Sequence, residues 1–473
     1  MAENLQATAS ENPLETQPIG KLIFKYSIPA VITGIINAVY NIIDQIFIGN
    51  SYIGADGNGA TGISFPVTMI ITTIAMLFGT GAASAFSLYL GAKENAKAKS
   101  VIGNALTLIF ISGIILTIVG LCATRPILYA FGGRNTVDDY GVAHNTLDLA
   151  VEYSRIIFAA CILPIIITGA GQFVRADGSP RYSMIVTVTG ALINCGLDPL
   201  FIYVFKWGMT GAALATIIGQ FVSAVCIIAY MFRFKSVKLA WRDLLLKARS
   251  VGRIFQLGLA AGATQLAVTI VNIALNNVLG KYGEQSIYGR ANVINAVAVI
   301  GKINALFTAI VFGISQSIQP ILGYNIGNGK YKRAKRTVYI VGLVVIIVST
   351  VALLLFELIP RQLTGIFGSS TDELYYQFAE RYFRIYFCGT IFSCMQIMGA
   401  NFFPAIGKGL IGIIVALSRQ LILLLPLIIV LPFINGWGLN GVLWSAPIAD
   451  LLSGLISVSF MLAVIRKWKE NKE

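Results

Sequence analysis

Charge is scarce in this chain. Asp, Glu, Lys and Arg make up only 12% of its 473 residues, and there is a single histidine. A soluble domain of that length carries about twice the charge, so the shortage excludes one. No Gly-x-x-x-x-Gly-Lys-Ser/Thr run is present, which excludes a P-loop ATP pump. None of the six cysteines has metal-ligand spacing or a place in an external loop, so they read as packing residues. No nucleophile–base pair is recognisable, and neither an enzyme nor a cofactor is expected. His144 stands alone in a loop and reads as solvated. The stretch 1–17 is polar and acidic. It lacks the basic start, short apolar run and small-residue cleavage site of a signal peptide, and reads as part of a cytoplasmic tail.

Apolar sequence is what the chain has. It makes up 56% of the residues, and mean hydropathy is +0.77. Twelve apolar runs, the first at about 22–48 and the last at 438–463, are long enough to cross a hydrocarbon core of about 30 Å. Gly, Ala, Ser and Thr recur in them and permit close helix packing in lipid. The basic residues fall mostly on one side. Lys21, Lys25, Lys93, Lys97, Lys99, Arg175, Arg181, the seven from Arg233 to Arg253, the five from Lys330 to Arg336, Lys408 and the tail from Arg466 share one face. Only Arg125, Arg134, Lys206, Lys281, Arg290 and Arg361 are left for the other. The positive-inside rule then puts both termini in the cytoplasm and the protein in a cell membrane, inner or plasma. Topology accounts for the net charge of +14, and no nucleic acid is needed to explain it.

The chain also repeats itself. Tyr153-Ser154-Arg155-Ile156 recurs as Tyr382-Phe383-Arg384-Ile385; Phe173, Ala176 and Gly178 recur as Phe402, Ala405 and Gly407; Trp207-Gly208 recurs as Trp437-Gly438. The order and the near-constant offset mark an internal duplication. Each copy holds six spans, an even number, so both enter the membrane from the same side. The expected fold is therefore an all-α integral membrane protein: twelve transmembrane helices in two six-helix bundles, related by a pseudo-twofold axis along the membrane normal. Its parts are a tail (1–21), an N-lobe (22–233), a basic cytoplasmic linker (234–251), a C-lobe (252–465) and a second tail (466–473).

Against this background two acids stand out. Asp44 and Asp198 lie inside apolar spans, where a charge costs on the order of 3 kcal/mol even on lenient scales and marks a functional site. Tyr40 and Asn194 precede them by one helical turn, on the same face. The duplication aligns Asp44 with Leu275 and Asp198 with Ile428, so the second copy keeps the helices and drops the charges. Counting from the span ends, Asp44 lies about 6 Å and Asp198 about 10 Å below the outer boundary, with Thr216 at a similar depth. One pocket can thus hold Tyr40, Asn41, Asp44, Asn194, Asp198 and Thr216. Pro199 frees a carbonyl one turn back, beside the acids. Such a group can exchange H⁺, or hold Na⁺ through Asp44, Asp198 and Asn194. The competing reading of these polar groups is an interhelical fastener. Asp450 lies mid-span, with Arg419 or Lys302 as candidate partners and a cationic substrate as the alternative.

These features resemble the multidrug and toxic compound extrusion (MATE) family over nearly the whole chain, in its prokaryotic branch that includes the DNA-damage-inducible type. Pro29 with Tyr40-Asn41-Ile42-Ile43-Asp44 looks like the family's first-helix signature. Asn194-Cys195-Gly196-Leu197-Asp198-Pro199 looks like that of the fifth helix. Gln172 and Arg175 to Gly178 resemble the end of the fourth, Thr216 matches a position on the sixth, and Glu152 resembles a position implicated in some relatives. The resemblance implies an antiporter exporting small organic, often cationic, compounds against H⁺ or Na⁺; the parallel duplication points to rocking of the lobes, and a monomer in membrane lipid is the default expectation. A lipid-linked precursor flippase is the alternative. The branch with acids on the seventh and eighth helices fits less well, because Glu284 and Lys302 stand there instead.

Overall fold

Lipid offers a backbone no hydrogen-bond partners, so a chain this apolar satisfies its amides within helices. The computed structural model describes residues 13–137, 143–367 and 372–468. Its helices are α1 (Pro13–Thr16), α2 (Ile19–Gly49), α3 (Gly54–Gly91), α4 (Asn95–Ala130), α5 (Thr146–Ala159), α6 (Ile162–Ile165), α7 (Gly171–Ala176), α8 (Pro180–Pro199), α9 (Gly208–Met231) and α10 (Ala248–Glu284). They continue with α11 (Arg290–Gln316), α12 (Ile318–Gly327), α13 (Tyr331–Leu358), α14 (Pro360–Phe367), α15 (Glu373–Tyr386), α16 (Thr390–Ala405), α17 (Gly409–Leu417), α18 (Leu425–Val430) and α19 (Gly438–Arg466). Thr136–Val137 and Ala143–His144 form a two-residue antiparallel pair, the one strand pairing among the described residues.

Ten helices or runs of joined helices are long and apolar enough to cross a membrane, and two bent pairs complete the expected twelve. The bent pairs are α5 with the run Ile162–Ala176, and α15 with α16. Their bends, 56° and 57°, fall at corresponding places in the two sequence copies, so the duplication reaches down to a kink.

The buried apolar residues form one cluster in the first copy and two in the second, and two helices break that division. Leu22, Ile23 and Tyr26 of α2 pack with Val311, Ile318 and Val338 of the second copy. Ile254 and Leu257 of α10 pack with Phe78, Phe86 and Val101 of the first. The first helix of each copy thus lends its basic-face end to the other bundle.

That exchange closes a seam on the basic face. A Cβ on Gly81 would stand 2.2 Å from the Ile254 carbonyl oxygen, and one on Gly258 only 1.8 Å from that of Leu77. Near the end of α3 a Cβ on Gly91 would meet the Tyr324 oxygen at 2.1 Å, and one on Gly327 the Leu88 oxygen at 2.2 Å. Backbone meets backbone there, and only glycine fits. Ser27 Oγ donates to Ser317 Oγ across the same seam at 2.9 Å.

Two connecting segments are fastened down. Between α9 and α10, the Asp177 carboxylate accepts from Tyr230 Oη (2.8 Å) and from the amides of Lys235 (2.7 Å) and Ser236 (2.8 Å). Asn104 Nδ2 donates to the carbonyls of Asp243 and Leu245, and its Oδ1 accepts from Lys247 N at 2.6 Å. The segment is therefore sewn onto the first bundle. The α1 segment is sewn onto the second: Glu15 pairs with Lys330 at 2.9 Å, and Arg333 donates to the carbonyls of Leu14 and Gln17. Lys330 holds the Glu15 carboxyl below its ordinary pKa of 4.5.

Candidate ion and substrate site

The turn Asp177-Gly178-Ser179 sets up α8. Gly178 takes φ +88°, which ends α7, and Pro180 starts the next helix at its first turn. At its far end α8 carries Asp198-Pro199. Proline cannot donate to the Cys195 carbonyl, and the Leu200 amide donates to Leu197 instead. A π-helical turn, Leu200–Val204, follows; such turns often mark functional sites. Tyr203 Oη donates to the Phe47 carbonyl at 2.9 Å, and Tyr52 Oη to that of Lys206 at 2.8 Å. These bonds tie the far ends of α2 and α8 together, with Asp44 within electrostatic reach of Asp198.

Asp198 is fully buried. Its Oδ1 accepts from Asn194 Nδ2 at 3.2 Å, and the same Nδ2 lies 3.3 Å from Thr216 Oγ1. Thr216 donates to the Ala212 carbonyl in its own helix. Three oxygens in this group, Asp44 Oδ1, Asp198 Oδ2 and Asn194 Oδ1, are buried without a hydrogen-bond partner. A buried polar atom without a partner costs about 1–3 kcal/mol. Three acceptors without donors, on residues within hydrogen-bond or electrostatic reach of Asp198, suit a proton or a small cation. Tyr40 lies within electrostatic reach of both acids, and so does Tyr153, which also neighbours Thr216. Tyr153 escaped the sequence reading because its twin, Tyr382, made it look like part of the scaffold.

The other expected residues are dispersed. Asn41 is exposed and its Nδ2 donates back to the Asn37 carbonyl at 2.6 Å. Glu152 is exposed and accepts from Thr210 Oγ1 at the start of α9. Pro29 is buried near the basic face. Gln172 faces the seam, with Nε2 3.8 Å from Met76 Sδ. Asp450 is ion-paired: Arg419 Nε donates to its Oδ1 at 2.5 Å. Arg419 sits in a π-helical turn, Ser418–Leu424, with Tyr382 and Tyr386 within electrostatic reach. His144, expected to be solvated, pairs through Nδ1 with Asp56 Oδ1 at 2.7 Å. Among the described residues, no three His, Cys, Asp or Glu side chains form a metal cluster.

The pattern that defines the MatE family matches this chain twice, at residues 29–200 and 260–430. The multidrug export protein MepA of Staphylococcus saprophyticus is 24% identical over 449 residues, covering 94% of each chain. MepA of Staphylococcus aureus is 25% identical over 454 residues, again covering 94% of each. Among solved structures, an outward-facing multidrug resistance MATE family transporter of the MOP superfamily superposes with a TM-score of 0.86 at 23% identity, covering 96% of this chain and 97% of that one. A MOP superfamily transporter from Pyrococcus furiosus gives 0.88 at 22%, covering 97% and 98%. At those identities the structural likeness speaks for the fold.

Proposed function

We propose, on the premise that this chain belongs to the MatE family of multidrug and toxic compound extrusion transporters, that it is an ion-coupled antiporter exporting small organic, often cationic, compounds. The observation that carries this reading is the set of orphaned oxygens on Asp44, Asp198 and Asn194. In that reading they bind the coupling ion. A proton bridges or neutralises the two carboxylates; Na⁺ is held by the same oxygens with Thr216 Oγ1 and the Cys195 carbonyl, which lost its ladder donor to Pro199. Asn194 and Thr216 hold the Asp198 carboxylate in place. Tyr40 and Tyr153 supply phenols to the same pocket.

Transport proceeds by rocking the lobe at 22–233 against that at 252–465, with the basic face and both termini in the cytoplasm. The glycine seam supports this, because it closes one face between bundles and leaves the acids beyond it toward the other. The protein works as a monomer in the bilayer. Substrate flux into proteoliposomes, with pH and Na⁺ gradients imposed separately, tests the reading. Uptake driven by one gradient and lost in Asp198→Asn is the expected result. Transport of a lipid precursor but no organic cation, or cation flux indifferent to both gradients, overturns it.

A further inference from the structure

Away from the carboxylate pair, a small, partly open cavity lies at the seam, with about 20 Å³ in which the centre of a water-sized sphere can sit, room for at least one water or small ion. Four elements line it: α2 with Tyr26, α3 with Ser87, α7 with Gln172 and Arg175, and the α11–α12 junction with Gln316 and Gln319. Arg175 is the anomaly. Its Nε is buried without a hydrogen-bond partner, and no carboxylate pairs with it among the described residues. The neighbouring acid, Asp177, has both oxygens occupied by Tyr230 and the amides of Lys235 and Ser236. A buried charge is normally paired.

The remaining polar lining groups are neutral and can donate. Gln316 and Gln172 are 93% and 97% buried. No hydrogen bond to Gln316 or to the Tyr26 hydroxyl is resolved, and Gln172 has only the long contact to Met76. Gln319 is occupied by Asn401 at 3.2 Å. The duplication adds a contrast. Gln172 corresponds to Asn401, but Arg175 corresponds to Pro404, so the arginine is no part of the repeated scaffold.

We propose that Arg175, with Gln172, Gln316 and Tyr26, binds one small monovalent anion, of the size of chloride, when the basic-face seam is closed. The anion supplies the missing counter-charge and joins donors from both bundles. Charge decides the class: one unpaired guanidinium calls for one negative charge. Opening the seam separates α7 from α11 and releases the ion.

The test is equilibrium binding of radiolabelled chloride to the purified full-length protein, with Na⁺ and ionic strength held constant by sodium gluconate. One saturable site is expected, competed by bromide and present in Asp198→Asn as well. Arg175→Gln should weaken it about tenfold or more, the usual cost of losing a charged hydrogen-bond partner. Absence of saturable binding, or equal binding in Arg175→Gln, overturns the proposal. Should Arg175→Gln fail to fold, Gln316→Leu takes its place: weaker binding supports the site, and unchanged binding overturns it. Because binding is read without transport, its failure is distinct from failure of the antiport reading.

Discussion

The two bundles are copies of one design that treat buried charge in opposite ways. In the first, Asp44 and Asp198 lie within electrostatic reach of each other, with oxygens left unpartnered and no salt bridge to either among the described residues. In the second, Asp450 is held by Arg419 at 2.5 Å. Even the twin tyrosines diverge: Tyr153 stands by the acids, Tyr382 by the arginine. An acid that must take up and release an ion cannot have a permanent partner, whereas one that braces a bundle must have one. On the proposed function, exchange belongs to the first copy and bracing to the second.

Breaking the pairs separates those roles. The largest effect on transport is expected from Asp198→Asn and Asp44→Asn, each of which should abolish gradient-driven efflux in proteoliposomes while leaving the unfolding temperature near that of the parent. Coupled transport at near-normal rate in both would end the assignment. Asp450→Asn should act the other way. It leaves a buried guanidinium uncompensated, at a cost of about 3–5 kcal/mol of stability. Replacing both partners, Asp450→Leu with Arg419→Met, should recover most of that loss. A thermal-unfolding series on the single and double variants checks this, and equal losses in both would remove the bracing role.

The tyrosines offer a finer contrast. Tyr153→Phe should slow transport about tenfold by removing one hydroxyl from the pocket. Tyr382→Phe should leave the flux per folded molecule unchanged. Equal flux losses in the two would erase the distinction between the copies. The smallest effect belongs to the Glu15–Lys330 clasp, a paired acid outside the membrane. Its folded pKa lies below 4.5, so its stabilisation is present above that value and is lost as pH falls through the lower folded one. It is worth at most about 1 kcal/mol. Melting curves of Glu15→Gln and the parent should therefore differ slightly near neutrality and converge in acid.

Much of this was legible in the sequence because lipid narrows the choices. Twelve apolar runs, the duplication and the cost of Asp44 and Asp198 follow from composition and spacing alone. What spacing does not reveal is which helix faces meet. Gln172, a second-tier ion or substrate contact by resemblance, lines the seam. Asn41 shares α2 with Asp44, yet its amide donates back along its own helix. Asp450 had two basic candidates on other helices, and only packing selects Arg419. The segment after α9 read as a basic linker between lobes, since nothing local shows that Asn104 and Asp177, far apart in sequence, fasten its two ends.

The glycine seam has an electrical meaning as well. Where backbone touches backbone no side chain can change rotamer, so those contacts close in one geometry and leave no intermittent gap for water between them. In a membrane holding 100 mV, each elementary charge leaking through such a gap would dissipate about 2.3 kcal/mol. Gly81, Gly91, Gly258 and Gly327 thus make the closed face an insulator. A methyl group at any of them would hold it ajar, and the carrier would conduct as a leaky pore.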